Sequence, residues 1–215
     1  MADTSANSDT LQALPLFPLG AAVFPGTLLP LRIFELRYLQ MVGECERLNK
    51  PFGVVTLTQG SEVHRPGTPA ERFEPIGTLM RLEKIERPHP GLLHIGCRAV
   101  DTFEVLGQSQ RGDGLWLGEV RVLAPEPSLP VPEHLQHLAS QLANTLDRLQ
   151  DNSADPLPWP HPWRLDDCAW LSQRWGELLP LPSAMKYRLL ALREPLLRLE
   201  LIGDMLSPPS PAQPG

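Results

Sequence analysis

The spacing of apolar residues changes twice in the first part of this chain, and each change predicts a different element. Residues 14–31 place apolar residues between prolines and glycines, which is typical of short strands separated by turns. From residue 34 the steps become three and four, which predicts one helical face: Phe34, Tyr38, Met41, Cys45 and Leu48. Asn49-Lys50-Pro51 is predicted to end that helix, and residues 52–58 are extended again.

Apolar and polar positions alternate over much of residues 76–123, which predicts strands at 76–85, 92–106 and 115–123. In the second of these the apolar face holds Leu93, Ile95, Cys97, Ala99, Phe103 and Val105. Asp101 interrupts that face, so we expect a bend or bulge there. Arg111-Gly112-Asp113-Gly114 predicts a hairpin before the last strand. These spacings describe an antiparallel sheet that curls into a barrel.

A proline-rich linker at residues 125–131 separates this part from a helical one. Three apolar stripes predict the helices: Leu135, Leu138, Leu142, Leu146 and Leu149; Cys168, Leu171, Trp175 and Leu178, capped by Asp166 or Asp167; Met185, Leu189 and Leu192. Pro195 is predicted to start a last helix. The fold class is therefore α+β, with a disordered tail at 1–10, a β-rich subdomain at 11–124, a helical subdomain at 132–206 and a second disordered tail at 207–215.

Composition narrows the function classes. The formal net charge is −6, and only three of the basic residues are lysines, scattered along the chain. This disfavours non-specific nucleic-acid binding, which depends on clustered Lys and Arg. The three cysteines form no CxxC pair, so neither a disulfide framework nor a zinc site is expected. With no signal sequence and no long apolar run, we expect a cytoplasmic protein without a membrane partner.

Catalytic motifs are scarce. The sequence has no phosphate-binding GxxxxGK[ST] loop, no GxSxG and no HExxH. Ser183-Ala184-Met185-Lys186 matches SxxK, in which a lysine could take the proton of the serine. Because neither SDN nor KTG accompanies it, we interpret Ser183 as a helix cap and Lys186 as an exposed residue. No catalytic residue is predicted.

Two clusters in the helical part have a binding interpretation and a plainer one. His134 and His137 are spaced to share a metal, but a site needs three or four ligands, and we expect solvated helix positions and no metal. Five aromatic or imidazole side chains crowd residues 159–175: Trp159, His161, Trp163, Trp170 and Trp175. We interpret Trp170 and Trp175 as core residues and keep Trp159 and Trp163 as candidate peptide contacts.

The opening block contains three diagnostic pieces: Leu14-Pro15-Leu16-Phe17-Pro18-Leu19, Val23-Phe24-Pro25-Gly26 and Leu31-Arg32-Ile33-Phe34-Glu35-Leu36-Arg37-Tyr38. With looser matches through about residue 206, the chain resembles the Lon protease N-terminal, substrate-binding domain. Gly96-Cys97-Arg98-Ala99-Val100 stands where the family has a more basic strand. The resemblance implies a PUA-like β-barrel followed by a helical bundle, in a stand-alone form without the ATPase and peptidase domains of full Lon proteases.

The resemblance also implies a function: binding exposed hydrophobic or unfolded protein segments, as an adaptor in proteolysis, with no cofactor. Candidate contacts are Phe17, Phe24, Leu28 and Leu29 of the proline-rich loops and the groove between barrel and helices, although a core position is the plainer expectation for each residue. Arg32, Glu35 and Arg37 are expected to form structural ion pairs around the helix start, and Tyr38 to be core.

Other interpretations stay open. PUA-like barrels elsewhere bind RNA, so a nucleic-acid-binding protein is one alternative, which the charge of the chain disfavours. A small-molecule hydrolase with an unrecognised site is another. The partner could also be a protease machine or a second copy of the chain in a homodimer.

Overall fold

The computed structural model describes residues 10–62, 69–155, 157–159 and 161–207. The disordered tails predicted at 1–10 and 207–215 fall outside these ranges, except for Thr10, which begins the first strand, and Ser207, which follows the last helix. The elements in chain order are β1 (Thr10–Leu19), β2 (Leu28–Ile33), α1 (Leu36–Leu48), β3 (Phe52–Gln59), β4 (Arg72–His89), β5 (Leu92–Gln110), β6 (Trp116–Val122), a 3-10 turn (Glu133–Leu135), α2 (Gln136–Asp151), α3 (Cys168–Leu178), α4 (Ser183–Ala191) and α5 (Pro195–Leu206).

These elements form two compact units, which confirms the α+β class. The first unit contains the described residues up to Pro125 together with Pro182–Leu190, and the second contains Glu126–Leu181 and the described residues from Ala191 onward. The helix α4 thus groups with the strands, a placement that no spacing in the sequence predicts. The backbone of Ile76 interacts with the hydroxyl of Tyr187, which connects β4 to α4 within the first unit.

The strands of the first unit close into a barrel. Their order is β2-β5-β4-β3-β1-β6, and β5 also pairs with β6, which closes the ring through the five strands other than β2. All pairs are antiparallel except β1 with β3. This architecture agrees with the predicted barrel, although the parallel pair was not predicted.

The long strand β5 pairs with two different strands, β2 and β6, along the same edge, because a bulge interrupts it. Residues before the bulge pair with β2, and residues after it pair with β6. Opposite β4, Thr78 pairs with Thr102 and Met80 with Ala99, so Val100 and Asp101 together face one residue. The bend predicted at Asp101 is therefore confirmed, and it is where β5 passes from one partner strand to the other.

The helix α1 packs one face on the barrel and differs from its prediction at the start. Glu35 has an extended backbone (φ −73°, ψ 135°) and precedes the first helical residue, so Phe34 lies outside the helix and its side chain is 53% exposed. The buried face holds Tyr38, Met41, Val42 and Cys45. Asn49 ends the helix in the left-handed conformation, which confirms the stop predicted at Asn49-Lys50-Pro51.

The second unit is built on the predicted leucine stripe. Leu138, Leu142 and Leu146 of α2 are fully buried, whereas Leu149 near the helix end is exposed. Asp167 caps α3 by accepting a hydrogen bond from the backbone N–H of Ala169 at 3.0 Å. Pro195 stands in the first turn of α5, where its missing N–H costs nothing.

Candidate functional site

The candidate contacts of the proline-rich loops separate into two groups. Phe17 and Phe24 are 7% and 0% exposed and belong to the interior. Leu28 is 37% exposed and Leu29 is partly buried against the core. A buried ring cannot contact a peptide unless the barrel opens, so Phe17 and Phe24 are excluded as surface contacts. The exposed part of this segment begins at Leu28, the first residue of β2.

The predicted ion pair between Glu35 and Arg37 is present and belongs to a larger buried cluster. The guanidinium of Arg37 contacts Glu35 at 3.1 Å and Glu71 at 2.8 Å, and donates a hydrogen bond to the carbonyl of Gly114 at 3.0 Å. The indole N–H of Trp116 donates to Glu71 at 2.6 Å. Burial opposes the charge of Arg37, yet the hydrogen bond to Glu71 and the nearby carboxylates raise its pKa above the ordinary value.

This cluster is a structural clip, which agrees with the interpretation of Arg37 and of Tyr38. The Arg37 guanidinium lies 4.5 Å from the centre of the Tyr38 ring, which is itself 3% exposed. Burial raises the pKa of Tyr38, so its hydroxyl stays protonated. Sequence reasoning missed Glu71 and Trp116, because neither lies near Arg37 in the chain and no local pattern connects them.

Arg32 behaves differently from Arg37. The predicted contact between Arg32 and Glu35 is not among the ion pairs of the described residues, so that expectation is wrong. The reason is strand alternation: Leu31 and Ile33 turn toward the core, which leaves Arg32 exposed on the other face. Arg32 therefore adds a solvated positive charge to the surface of β2.

Among the described strands, β2 pairs on one side only, with β5. The carbonyl of Thr27 accepts a backbone hydrogen bond from the N–H of Ala99 at 2.9 Å, and the register of β2 continues from this contact, so the groups of Leu29, Leu31 and Ile33 also face β5. The N–H and C=O groups of Leu28 and Arg32, and the C=O of Pro30, then point to the open edge. Outside the strand ladders, no backbone or side-chain hydrogen bond within the described ranges reaches them.

Apolar side chains follow this open edge. Leu28 is 37% exposed, Phe34 is 53% exposed and Leu36, the first residue of α1, is 68% exposed. We call Leu28, Pro30, Arg32, Phe34 and Leu36 the β2 edge surface. It combines exposed apolar side chains with unpaired backbone groups, which are the two features by which an extended peptide is bound.

A second apolar feature of the same unit is a groove of about 390 Å³ between β1 and the end of α1. It is lined by Leu11, Leu14, Pro15, Leu48 and Pro51, among others. Leu48 is 46% exposed, whereas Leu14 is buried. Cys45 also lines the groove, and burial raises the pKa of its thiol to about 11.

The tryptophans of the second unit are partly enclosed. Trp159 is 6% exposed, with the Arg174 guanidinium 5.0 Å from its ring centre. Trp163 is partly buried, and its ring centre lies 4.1 Å from that of His161. Trp175 is core, as expected, and donates to the carbonyl of Leu138 at 3.2 Å. Trp159 and Trp163 remain predictions as peptide contacts, with Trp163 the more accessible of the two.

The groups that could carry chemistry are not arranged as a reactive pair. Ser183 begins α4, and its buried hydroxyl makes no hydrogen bond within the described part of the chain, so it neither caps the helix through its side chain nor bonds to Lys186. Burial raises the pKa of Cys97 to about 12 and that of Cys168 above its ordinary value, which leaves these thiols poor nucleophiles.

The histidine pair also has a local explanation. The Nδ1 of His137 is 2.9 Å from the carbonyl oxygen of His134, a contact within one helical turn. Across residues 10–62, 69–155, 157–159 and 161–207, no cluster of three His, Cys, Asp or Glu side chains is placed to hold a metal ion. None of the described helices has the length and apolar character needed to cross a membrane.

Comparison with known proteins connects this geometry to a family. The ATP-dependent protease La (LON) substrate-binding domain matches residues 13–207. A crystal structure of a Lon N-terminal domain protein from Xanthomonas campestris is similar, with 30% identity and a TM-score of 0.70 over 92% of this chain and 100% of that one. A comparison with curated protein sequences gives no match.

A more distant structure shares the fold. The N-terminal domain of a Mycobacterium avium complex Lon protease covers 90% of this chain and 97% of that one, with 16% identity and a TM-score of 0.52. The match over residues 13–207 and the agreement in fold together show that this chain belongs to the Lon substrate-binding domain family.

Proposed function

We propose that this chain is a non-catalytic binding module that holds exposed hydrophobic or unfolded protein segments on its β2 edge surface. The single observation that carries the proposal is the coincidence, in a member of a substrate-binding family, of an unpaired strand edge with exposed apolar side chains. Unfolded segments supply both complementary features, free backbone groups and apolar side chains.

Two parts of the proposal concern its setting. We place the chain in the cytoplasm, which fits three cysteines that are all free and buried. We also propose that it serves proteolysis as an adaptor that presents bound segments to a protease machine. This second role depends on the first, because an adaptor must bind a segment before it can present that segment to a protease.

The test is a titration of the full chain with labelled peptides from a chemically unfolded protein, followed by fluorescence anisotropy. Wild-type chain should bind saturably. Phe34→Ser should weaken binding about fivefold to tenfold, because half a phenylalanine side chain is lost from the contact. Leu28→Ser should weaken it less, since Leu28 is less exposed.

Two further variants locate the site. Leu106→Ser removes a 49% exposed leucine from the other end of β5 and should change affinity by less than about twofold. Leu48→Ser removes the exposed leucine of the groove between β1 and α1. If Leu48→Ser weakens binding and Phe34→Ser does not, the site is the groove and the proposed location is wrong. Absence of saturable binding would overturn the function itself.

A further inference from the structure

The geometry points to a specific class of segment, an inference that rests on the proposed function. We propose that the β2 edge surface selects extended segments in which an acidic residue stands between apolar ones, and that such a segment adds to β2 as an antiparallel strand. The acidic residue would lie opposite Arg32, and the apolar residues opposite Leu28 and Phe34.

Charge is the first argument. On the outer face, β2 is followed by β5 and β4, and cross-strand pairs place Arg81 and Arg98 beside Leu28 and place His94 beside Arg32. Arg98 is neutralised by Glu83, at 2.9 Å, and Lys84 by Glu86, at 2.6 Å. Within the described ranges neither Arg32 nor Arg81 has an ion pair, and both are exposed. This face therefore carries a positive charge in a chain whose net charge is −6.

Backbone geometry is the second argument. The open edge of β2 offers two N–H donors, at Leu28 and Arg32, and three carbonyl acceptors, at Leu28, Pro30 and Arg32. Pro30 removes one donor from the middle of the edge, a device that discourages indiscriminate strand pairing. The selectivity of this edge therefore depends on its side chains, and Arg32 is the charged residue among those of the β2 edge surface.

The strand repeat fixes the spacing of the segment. Leu28 and Arg32 lie on one face of β2, four residues apart, and the exposed Phe34 follows the end of the strand, two positions beyond Arg32. An antiparallel partner reads this order in reverse: apolar, one residue, acidic, three residues, apolar. A peptide with the core Leu-Thr-Asp-Thr-Thr-Thr-Leu has this pattern, and its threonines favour an extended backbone. The reversed order of the same core would match a parallel strand.

The experiment compares this peptide, labelled with a fluorophore, with a copy that has Lys in place of Asp, using the full chain. The Asp peptide should bind about fivefold to tenfold more tightly at low ionic strength, and the difference should shrink as salt is added. Arg32→Glu should reverse the preference. The matched control, Arg148→Glu, makes the same charge change at an exposed arginine of the second unit and should leave the preference unchanged.

A pair of N-methylated peptides tests the strand pairing. Methylating the amide nitrogen of the fifth residue, which would donate to the carbonyl of Pro30, should weaken binding at least tenfold, whereas methylating the fourth, which faces away, should not. Four results would overturn the inference and leave the proposed function standing. The first two concern charge: unfolded-protein peptides bind without a charge preference, or Arg148→Glu also reverses the preference. The other two concern strand pairing: the two methyl groups have equal effects, or the reversed core binds more tightly. If no peptide binds, the proposed function itself fails.

Discussion

At the scale of single residues, two buried arginines explain more of this fold than any motif. Arg37 joins α1 to Glu71, the residue before β4, and to the carbonyl of Gly114 in the hairpin before β6. Arg198 of α5 is fully buried, bonds to both oxygens of Glu126 and donates to the hydroxyl of Ser172 at 2.9 Å. Each guanidinium connects segments that are distant in sequence, so a change at either should be felt well beyond its own element.

We predict that Arg198→Met lowers the free energy of unfolding by about 3–5 kcal/mol, because it leaves the carboxylate of Glu126 buried without its positively charged partner. Urea unfolding followed by tryptophan fluorescence measures this, since four of the five tryptophans lie in the second unit with Arg198. The control is Lys84→Met, which removes an exposed ion pair and should cost less than about 1 kcal/mol. Equal losses for the two variants would contradict the role given to Arg198.

At the scale of elements, glycines of β3 and β4 determine how the barrel closes around Phe103. A β-carbon built at Gly77 would lie 2.5 Å from the Phe103 ring and 2.6 Å from the carbonyl oxygen of Val54. Gly53 on the neighbouring strand has the same ring at 2.6 Å. Phe103 is fully buried, so the ring occupies the space that these two strands leave free.

We predict that Gly77→Ala lowers the free energy of unfolding by about 1–3 kcal/mol, because the added methyl group must displace a core ring or the backbone. Gly43→Ala in α1 is the matched variant: apart from the two adjacent residues and the backbone of the helix itself, no described atom lies within 4 Å of the new methyl group, and the change should raise stability by about 0.5–1 kcal/mol. Urea titrations monitored by circular dichroism compare the two. Similar values for both would show that Phe103 does not constrain Gly77.

Prediction from sequence succeeds here where local spacing decides the outcome. The bulge at Asp101, the stop at Asn49 and the start of α5 at Pro195 each depend on a few neighbouring residues. The helix start fails because the step from Phe34 to Tyr38 fits a helix although Glu35 is still extended. The grouping of α4 with the strands and the partnership of Arg37 with Glu71 depend on long-range packing, which periodicity does not encode.

The candidate site shows the same division. The proline-rich opening block contains the segment that we propose as the binding surface, and Leu28 of that segment is exposed. Alternation alone could not separate Leu28 from the buried Phe17 and Phe24, since all three stand among prolines and glycines. The open edge of β2 required the strand order, because an edge strand and a central strand have the same local pattern.

At the scale of the whole molecule, the family membership and the β2 edge surface support the same proposal, that this chain binds extended protein segments. A chain of the Lon substrate-binding family carries, on its barrel unit, one strand that stands outside the closed ring and is bordered by exposed apolar residues. The buried cluster around Arg37 stabilises the first unit, and the buried cluster around Arg198 stabilises the second. The proposed binding is thus assigned to an edge that the other described strands leave unpaired.

Hydrogen exchange of backbone amides, with and without a saturating unfolded-protein peptide, tests the proposed binding most directly. The amides of Leu28 and Arg32 have no hydrogen-bond acceptor in the described part of the fold and should exchange quickly in the free protein. The account predicts that the peptide slows exchange at these two positions and in residues 28–36. Saturable binding that leaves Leu28 and Arg32 unchanged while protecting another surface would contradict it.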